Sequence, residues 1–239
     1  MDDVKLQLQT LLPPDLRNRP WIGDVTPRQH DVPAKEVIFR AGDIPQRLYF
    51  VARGWLRGAT ALTVSIRPLS TLYMRGSIIG LPWMTHRNHI EDVTAVTHTE
   101  LISVSIKPFQ EWVKQDTTLQ AYIHDELVRD LIRMRMMNAV IGHMKAPDRL
   151  AYFLYMTLQQ NQRAYQTTLN TLSLPMTQEE IGRLLGLTNV SVNRAFRVLE
   201  NEGRIATARQ TVTFLDKPWF DENFELHDRQ ALIDQIAGS

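Results

Sequence analysis

Between Phe109 and Ile141 the chain contains neither glycine nor proline. Those two residues are the strongest helix breakers. Across the same stretch, apolar residues recur at steps of three and four: Ile123, Leu127, Leu131, Met134, Met137 and Ile141, with Arg129, Asp130, Arg133 and Arg135 largely between them. The spacing predicts a long helix within Pro108 to Met144. A helix of about 25 residues spans about 37 Å, more than one small domain needs for its own cover. The surplus stripe therefore calls for a partner helix, most simply from a second copy of the chain in a two-fold dimer. The alternative is that the whole stripe packs inside one subunit. Met134, Met136 and Met137 read as adaptable filler in that packing.

The predicted helix cuts the chain into two unlike parts. From about Val32 to Ile106 the sequence is broken by glycine and carries short apolar or alternating segments: Val37 to Phe39, Leu48 to Val51, Leu69 to Met74, Val93 to Val96 and Leu101 to Ile106. Such spacing points to an antiparallel all-β unit. Gly42, Gly54 and Gly76 fall at its expected turns, where a positive φ costs glycine little. After Lys145-Ala146-Pro147 a new helical pattern starts, with Asp148 in its first turn and Leu150, Phe153, Leu154 and Leu158 on one face. Pro147 marks the expected hinge and boundary. The polar stretch Gln159 to Gln166 loosens the pattern before a short strand and turn at Leu172 to Pro175.

Met176 to Phe214 is the most informative segment. Thr177, with Glu180 three residues on, has the form of a capping box. Ile181, Leu184 and Leu185 give the helix an apolar face, and Gly186 stops it. Thr188 then caps a second helix, Asn189 to Asn201, in which Val192, Ala195, Phe196 and Leu199 point inward. Asn189, Val190, Ser191, Asn193, Arg194 and Arg197 remain outward or near its start. Two helices joined by a short glycine turn, the second polar and basic on its free face, form a helix-turn-helix that fits the major groove of DNA. Gly203 ends the second helix. Arg204 to Ala206, a turn at Thr207 to Gln210 and Thr211 to Phe214 read as a two-stranded wing with Arg209 near its tip.

Net charge adds little, because 27 Lys and Arg face 26 Asp and Glu. Locally, Lys145 to Leu215 carries eight basic and five acidic side chains, whereas Asp216 to Ser239 carries two basic and six acidic ones. The acidic end, with Trp219, Phe220 and Phe224, is expected to pack on the domain before it. No cysteine occurs in the chain, which removes disulfides, thiolate metal sites and cysteine-ligated iron–sulfur clusters. The absence of a secretory signal and of any apolar run of membrane-spanning length points to a cytoplasmic protein with no membrane partner. Neither a P-loop nor a nucleophile elbow, zinc helix or dinucleotide fingerprint is present, so no enzyme is expected. His86, His89 and His98 lie in or near the β unit. His86-x-x-His89 lacks a third ligand in sequence reach, and a lone histidine in a loop reads as solvated.

The run Thr177 to Arg194, TQEEIGRLLGLTNVSVNR, resembles the helix-turn-helix of Crp/Fnr transcription regulators, T-x-x-E-I-G-x-x-x-G-x-[ST]-x-x-[ST]-V-x-R. Val37 to Asp43, Leu48 to Val51, Gly54 and Gly76 to Gly80 are similar to that family's cyclic-nucleotide-binding-type β-roll. The resemblance covers about residues 28 to 215 in the family's order. It implies an α+β fold: a β-roll (double-stranded β-helix or jelly roll) with its N-terminal segment over 1–107, a dimerisation helix and hinge over 108–146 and a winged helix-turn-helix over 147–217; the local charge adds an acidic extension over 218–239.

For the DNA site, the resemblance places Arg194 on guanine or the adjoining backbone and Ser191 on a phosphate. Asn189 and Val190 take the first two base-reading positions, where many relatives carry arginine and glutamate. Valine cannot accept a hydrogen bond from cytosine but can pack on a thymine methyl. Thr188, Asn193, Gln178, Arg197 and Arg209 complete the expected DNA-facing set, with the last three on phosphates. Members that bind cyclic AMP place a glutamate after the glycine equivalent to Gly80 and an Arg-Ser pair some residues later. Leu81, His89 and Ile90 stand there instead, so no cyclic nucleotide is expected. Without cysteines or a third histidine ligand no metal or other cofactor is expected either, and residues for any effector are left open. The expected partners are double-stranded DNA and a second copy of the chain, with RNA polymerase as a further candidate. A ligand- or haem-gated regulator of the same fold, or an adaptor that has lost DNA binding, are the alternatives. Coupling between the two ends is expected to run through the long helix and the hinge at Met144 to Pro147.

Overall fold

The computed structural model of the chain describes residues 2–63, 65–84 and 88–224. Two helices open it, α1 (Asp2–Leu11) and α2 (Pro20–Asp24). Eight strands follow: β1 (Arg28–Val32), β2 (Val37–Phe39), β3 (Arg47–Arg53), β4 (Trp55–Thr60), β5 (Leu69–Met74), β6 (Ile78–Ile79), β7 (Glu91–Ala95) and β8 (Thr99–Ser105). They form two antiparallel sheets, in the orders β1-β8-β3-β6 and β2-β7-β4-β5. Val32, Val51 and Leu101 of the first sheet and Leu56, Val93 and Ala95 of the second share one core between the sheets.

The first sheet is apolar on its outer face too. Leu48, Phe50 and Ala52 alternate with Tyr49 and Val51 along β3, and they pack outward with Ile102 and Val104 of β8 on Leu8, Leu12, Leu16 and Trp21 of the N-terminal segment. A strand covered on both faces reads as an unbroken apolar run, which is the form of Leu48-Tyr49-Phe50-Val51. Gly54, between β3 and β4, has φ +91°, and a Cβ there would lie 2.5 Å from the His98 carbonyl oxygen. Only glycine fits that turn.

The predicted long helix is divided in two. After α3 (Ile106–Gln115) the chain turns extended at Asp116, whose carboxylate accepts from the amides of Thr118 and Leu119 and caps α4 (Thr117–His143). Asp116 thus ends one helix and starts the next, without help from glycine or proline. Arg19 clamps the same carboxylate through Nε and Nη2, both at 2.7 Å. The hydrogen bonds from Arg19, and those from the Leu119 and Thr118 amides, hold the Asp116 carboxyl below its ordinary range. Such a group contributes stability above its unfolded pKa of about 3.9, and the contribution is lost as the pH falls through the lower folded value. Asp116→Asn is therefore expected to narrow the gap between thermal midpoints at about pH 6 and about pH 3; an unchanged gap would refute this linkage.

At 27 residues, α4 is about 40 Å long. Its ends are anchored by Leu119, Ile123 and Val140, all buried in this subunit. Ile123, expected on the dimer stripe, is instead part of the core beneath the first sheet. Leu127, Leu131 and Met134 along the middle are 38, 46 and 65 % exposed, while Met137 and Ile141 are half-buried.

The chain breaks again at Met144 and Lys145, both extended, and Pro147 lies inside the first turn of α5 (Ala146–Tyr165). This helix continues through the polar stretch that suggested a loosening and stops at Gln166, with φ +50°. It is buried nearly all round, because Tyr152 and Tyr155 meet the aromatic side chains of a later helix.

Next come β9 (Thr171–Ser173), α6 (Gln178–Leu185), α7 (Asn189–Asn201), β10 (Ile205–Ala208), β11 (Thr211–Phe214) and α8 (Lys217–Phe224). The wing is longer than the sequence indicated: Thr207 and Ala208 are in β10, and the turn is only Arg209 and Gln210. β9 adds a third strand on its far side. The start of the acidic extension packs inward through α8, where Phe220 is fully buried and Phe224 nearly so. Residues 225–239 lie outside the described part.

Candidate nucleic-acid interface

The capping box at Thr177 is closed from both sides. The Glu180 amide donates to Thr177 Oγ1 at 3.2 Å, and the Thr177 amide donates to Glu180 Oε2 at 2.9 Å. α6 stops at Gly186, with φ +64°. The Leu187 amide then returns to the Gly182 carbonyl at 2.8 Å. A Cβ at Gly182 would meet the Leu187 oxygen at 2.6 Å, so the turn closes this tightly only over glycine. Thr188 caps α7 by accepting from the Ser191 amide at 3.1 Å. Val192, Ala195 and Leu199 of α7 share a core with Ile181 and Leu185 of α6 and with Leu150 and Leu154 of α5. These contacts set the rotation of α7 and decide which of its side chains face outward.

Of the nine residues expected to face DNA, six are exposed and three are half-buried. Thr188, Asn189, Val190, Arg194, Arg197 and Arg209 are exposed, Val190 at 78 %. Ser191, Asn193 and Gln178 are half-buried. Asn193 Nδ2 donates to Gln178 Oε1 at 3.3 Å and so ties the first turn of α6 to the polar face of α7. Gln178, Asn193, Arg197 and Arg209 line one groove of about 240 Å³ between these helices and the wing.

Charge divides the arginines of this region into two groups. Arg183 is paired with Glu179, and Arg204 with Asp216. Among the described residues, Arg194, Arg197 and Arg209 enter no ion pair. Three unpaired guanidinium groups on one helix face and the adjoining wing tip can meet phosphate oxygens or base edges without first breaking an internal bond.

The roll interior presents a different chemistry. Gly80 has φ +94°, and Leu81 after it is 3 % exposed. His89 is not solvated, contrary to the sequence reading; it is 4 % exposed and stacks on Phe39 at 3.8 Å with an interplanar angle of 14°. The ring forms part of the apolar filling, so a loop position that sequence alone treats as open is closed by Phe39. Burial pushes the His89 pKa down against the opposing pull of Asp43, which keeps the imidazole neutral near pH 7. Ile90 is 47 % exposed. Among the described residues no group of three or more His, Asp or Glu side chains is placed to hold a metal ion. His86 lies outside the described residues. Among those residues, too, no helix is long and apolar enough to cross a membrane.

The sequence reading missed how the reading helices meet the roll. Arg57 of β4 donates to Glu180 Oε1 at 2.5 Å. Trp55 and Leu72 of the roll pack on the helix-turn-helix core. Arg75 donates to the carbonyls of Ala52 and Ala164, and Gln160 to Ser77 Oγ. The partners of the Arg57 bond are 123 residues apart, and no local pattern announces a pair of that kind.

Comparison with known proteins matches both halves of this geometry. Residues 29–116 fit the cyclic nucleotide-binding domain, and residues 148–219 fit the Crp-like helix-turn-helix domain. The transcriptional regulatory protein btr of Bordetella pertussis is 27 % identical over 183 residues, 77 % of this chain and 75 % of its own. The nitrogen fixation regulation protein FixK of Bradyrhizobium diazoefficiens is 27 % identical over 182 residues, 76 % of this chain and 75 % of its own. Both are regulators rather than enzymes. Among solved structures, FixK2 from Bradyrhizobium japonicum superposes with a TM-score of 0.72 at 19 % identity, over 83 % of this chain and 98 % of its own, a likeness of fold.

Proposed function

This chain belongs to the Crp/Fnr family of transcription regulators, and we propose that it acts as a homodimer whose two α7 helices enter successive major grooves of a near-palindromic DNA site. The observation that carries this reading is the outward face of α7 and the wing tip, where Arg194, Arg197 and Arg209, which form no ion pair among the described residues, stand with Asn189 and Val190. Asn189, Val190 and Arg194 read base edges. Gln178, Ser191, Arg197 and Arg209 hold phosphates and fix register. Thr188 and Asn193 support them, Thr188 by capping α7 and Asn193 through Gln178. The dimer forms along α4 through Leu127, Leu131 and Met134, with Met137 and Ile141 at the end of the stripe. RNA polymerase is the natural further partner of a regulator held beside a promoter.

This regulator does not answer to cyclic AMP. Leu81 offers ribose hydroxyls no acceptor, and the neutral, stacked His89 offers a phosphate no charge. The protein should therefore select DNA with no nucleotide present. The test is selection from a random duplex library at about 0.15 M salt, with and without cyclic AMP. The expected product is a two-fold symmetric motif with half-site centres about 34 Å apart, the same in both arms. Absence of any enriched motif would overturn DNA reading, and enrichment only with cyclic AMP would overturn the ligand reading.

A further inference from the structure

Two carboxylates stand in the first turn of α6, Glu179 and Glu180, next to Gln178, a residue placed above on the DNA backbone. Left bare, they would oppose a phosphate chain at that place. Each is answered by a cation, from different sources. Arg183, one turn along the same helix, pairs with Glu179 at 2.5 Å, and both side chains are mostly exposed. Glu180 is answered from the roll. Its Oε2 accepts from the amide and hydroxyl of Thr177, while its Oε1 accepts from Arg57 Nη1. The Glu180 side chain is 19 % exposed and that of Arg57 40 %, so this pair is less screened by water than the Arg183 pair. Trp55, two residues before Arg57, and Leu72 of β5 pack on the helix-turn-helix core, and β5 lies against α6.

We propose that Arg57 is a positioning residue for DNA binding: a side chain of the roll that neutralises and holds Glu180, so that the first turn of α6 can approach the phosphate backbone. The proposal rests on the reading of α6 and α7 as the DNA-binding helices. It makes the roll a direct participant in binding, by a route separate from α4 and the hinge. A change that moved β4 away from α6 would expose the Glu180 charge beside Gln178 and weaken binding, with no rearrangement inside the reading helices.

The charges can be separated from the scaffold because glutamine also closes a capping box. Glu180→Gln keeps the cap and removes the charge, so it should bind DNA about as well as the wild type. Arg57→Ala should bind a labelled duplex of the selected sequence at least about fivefold more weakly at about 0.05 M salt, and the deficit should shrink as salt screens it. The double variant Arg57→Ala/Glu180→Gln should recover to within about twofold of wild type, although it lacks the ion pair. Thermal midpoints of the full-length variants show which of them remain folded. If Arg57 acted only as a mechanical tie between roll and reader, the double variant would stay as weak as Arg57→Ala, and the proposal would be overturned. Arg57→Ala binding within twofold of wild type would overturn it too, and would leave the DNA reading intact. A wild-type protein that bound no duplex would overturn both.

Discussion

Replacing Leu131 and Met134 by glutamate should leave a folded monomer whose affinity for its DNA site has fallen by about 10²–10⁴-fold. The middle of α4 presents Leu127, Leu131 and Met134 to solvent, while both ends of the same helix are fixed in the subunit by Leu119, Ile123 and Val140. In the proposed dimer this helix, about 40 Å long with exposed apolar side chains along its middle, supplies half of the interface. In a two-fold dimer every contact occurs twice, and burying one such side chain is worth about 1.5–3 kcal/mol. Two glutamates per chain remove those contacts and set four carboxylates against one another. The loss in DNA affinity follows because the second reading helix no longer binds at the high effective concentration the dimer provides. Sedimentation velocity gives the mass, and fluorescence anisotropy on the selected duplex gives the affinity. Ile123→Ala is the contrasting variant: it should lower the thermal midpoint without changing the mass, since Ile123 is core. A double glutamate variant that still sediments as a dimer would place the interface elsewhere.

What could be read from the sequence and what could not follow from how far apart the deciding residues lie. Thr177 and Glu180, Gly186, Thr188 and Ser191 act within a few positions of one another, so the two reading helices, their caps and their outward faces are legible from order alone. The break at Asp116 was legible in principle, because an aspartate followed by Thr117 and Thr118 is a capping signal. Without glycine or proline beside it, the helical period ran over it. Other features depend on distant chain. β3 looks like one apolar run because the N-terminal helices cover its outer face. α5 runs on past Gln159 beside the roll, where Gln160 donates to Ser77 Oγ and Arg75 to the Ala164 carbonyl and stacks over the Tyr165 ring. His89 is buried because Phe39, fifty residues earlier, lies flat against it. Arg57 and Glu180 lie 123 residues apart in the chain. In each case composition was a fair guide to polarity and a poor one to the partner.

Arg194→Ala should weaken binding to the selected site by about 1–3 kcal/mol, roughly 5–150-fold, and relax base preference at one position of each half-site. Arg194 is exposed, one turn into α7 and on the face opposite Val192 and Ala195, which are buried. It enters no ion pair among the described residues, so on the proposed reading truncation removes a DNA contact and disturbs little inside the protein. Arg197→Ala should behave differently. As a phosphate contact it should weaken all sequences about equally and lower the salt slope by about one. Val190 gives the assignment a second, independent handle. A valine 78 % exposed at the start of a reading helix gains little from water and can gain from a thymine methyl. Val190→Glu should move the preference at that position toward the partner strand's cytosine, whose amino group a carboxylate accepts from. Repeating the library selection with each variant separates the roles. If Arg194→Ala returned the wild-type motif unchanged at every position, Arg194 would be a backbone contact, and base reading would rest on Asn189 and Val190 alone.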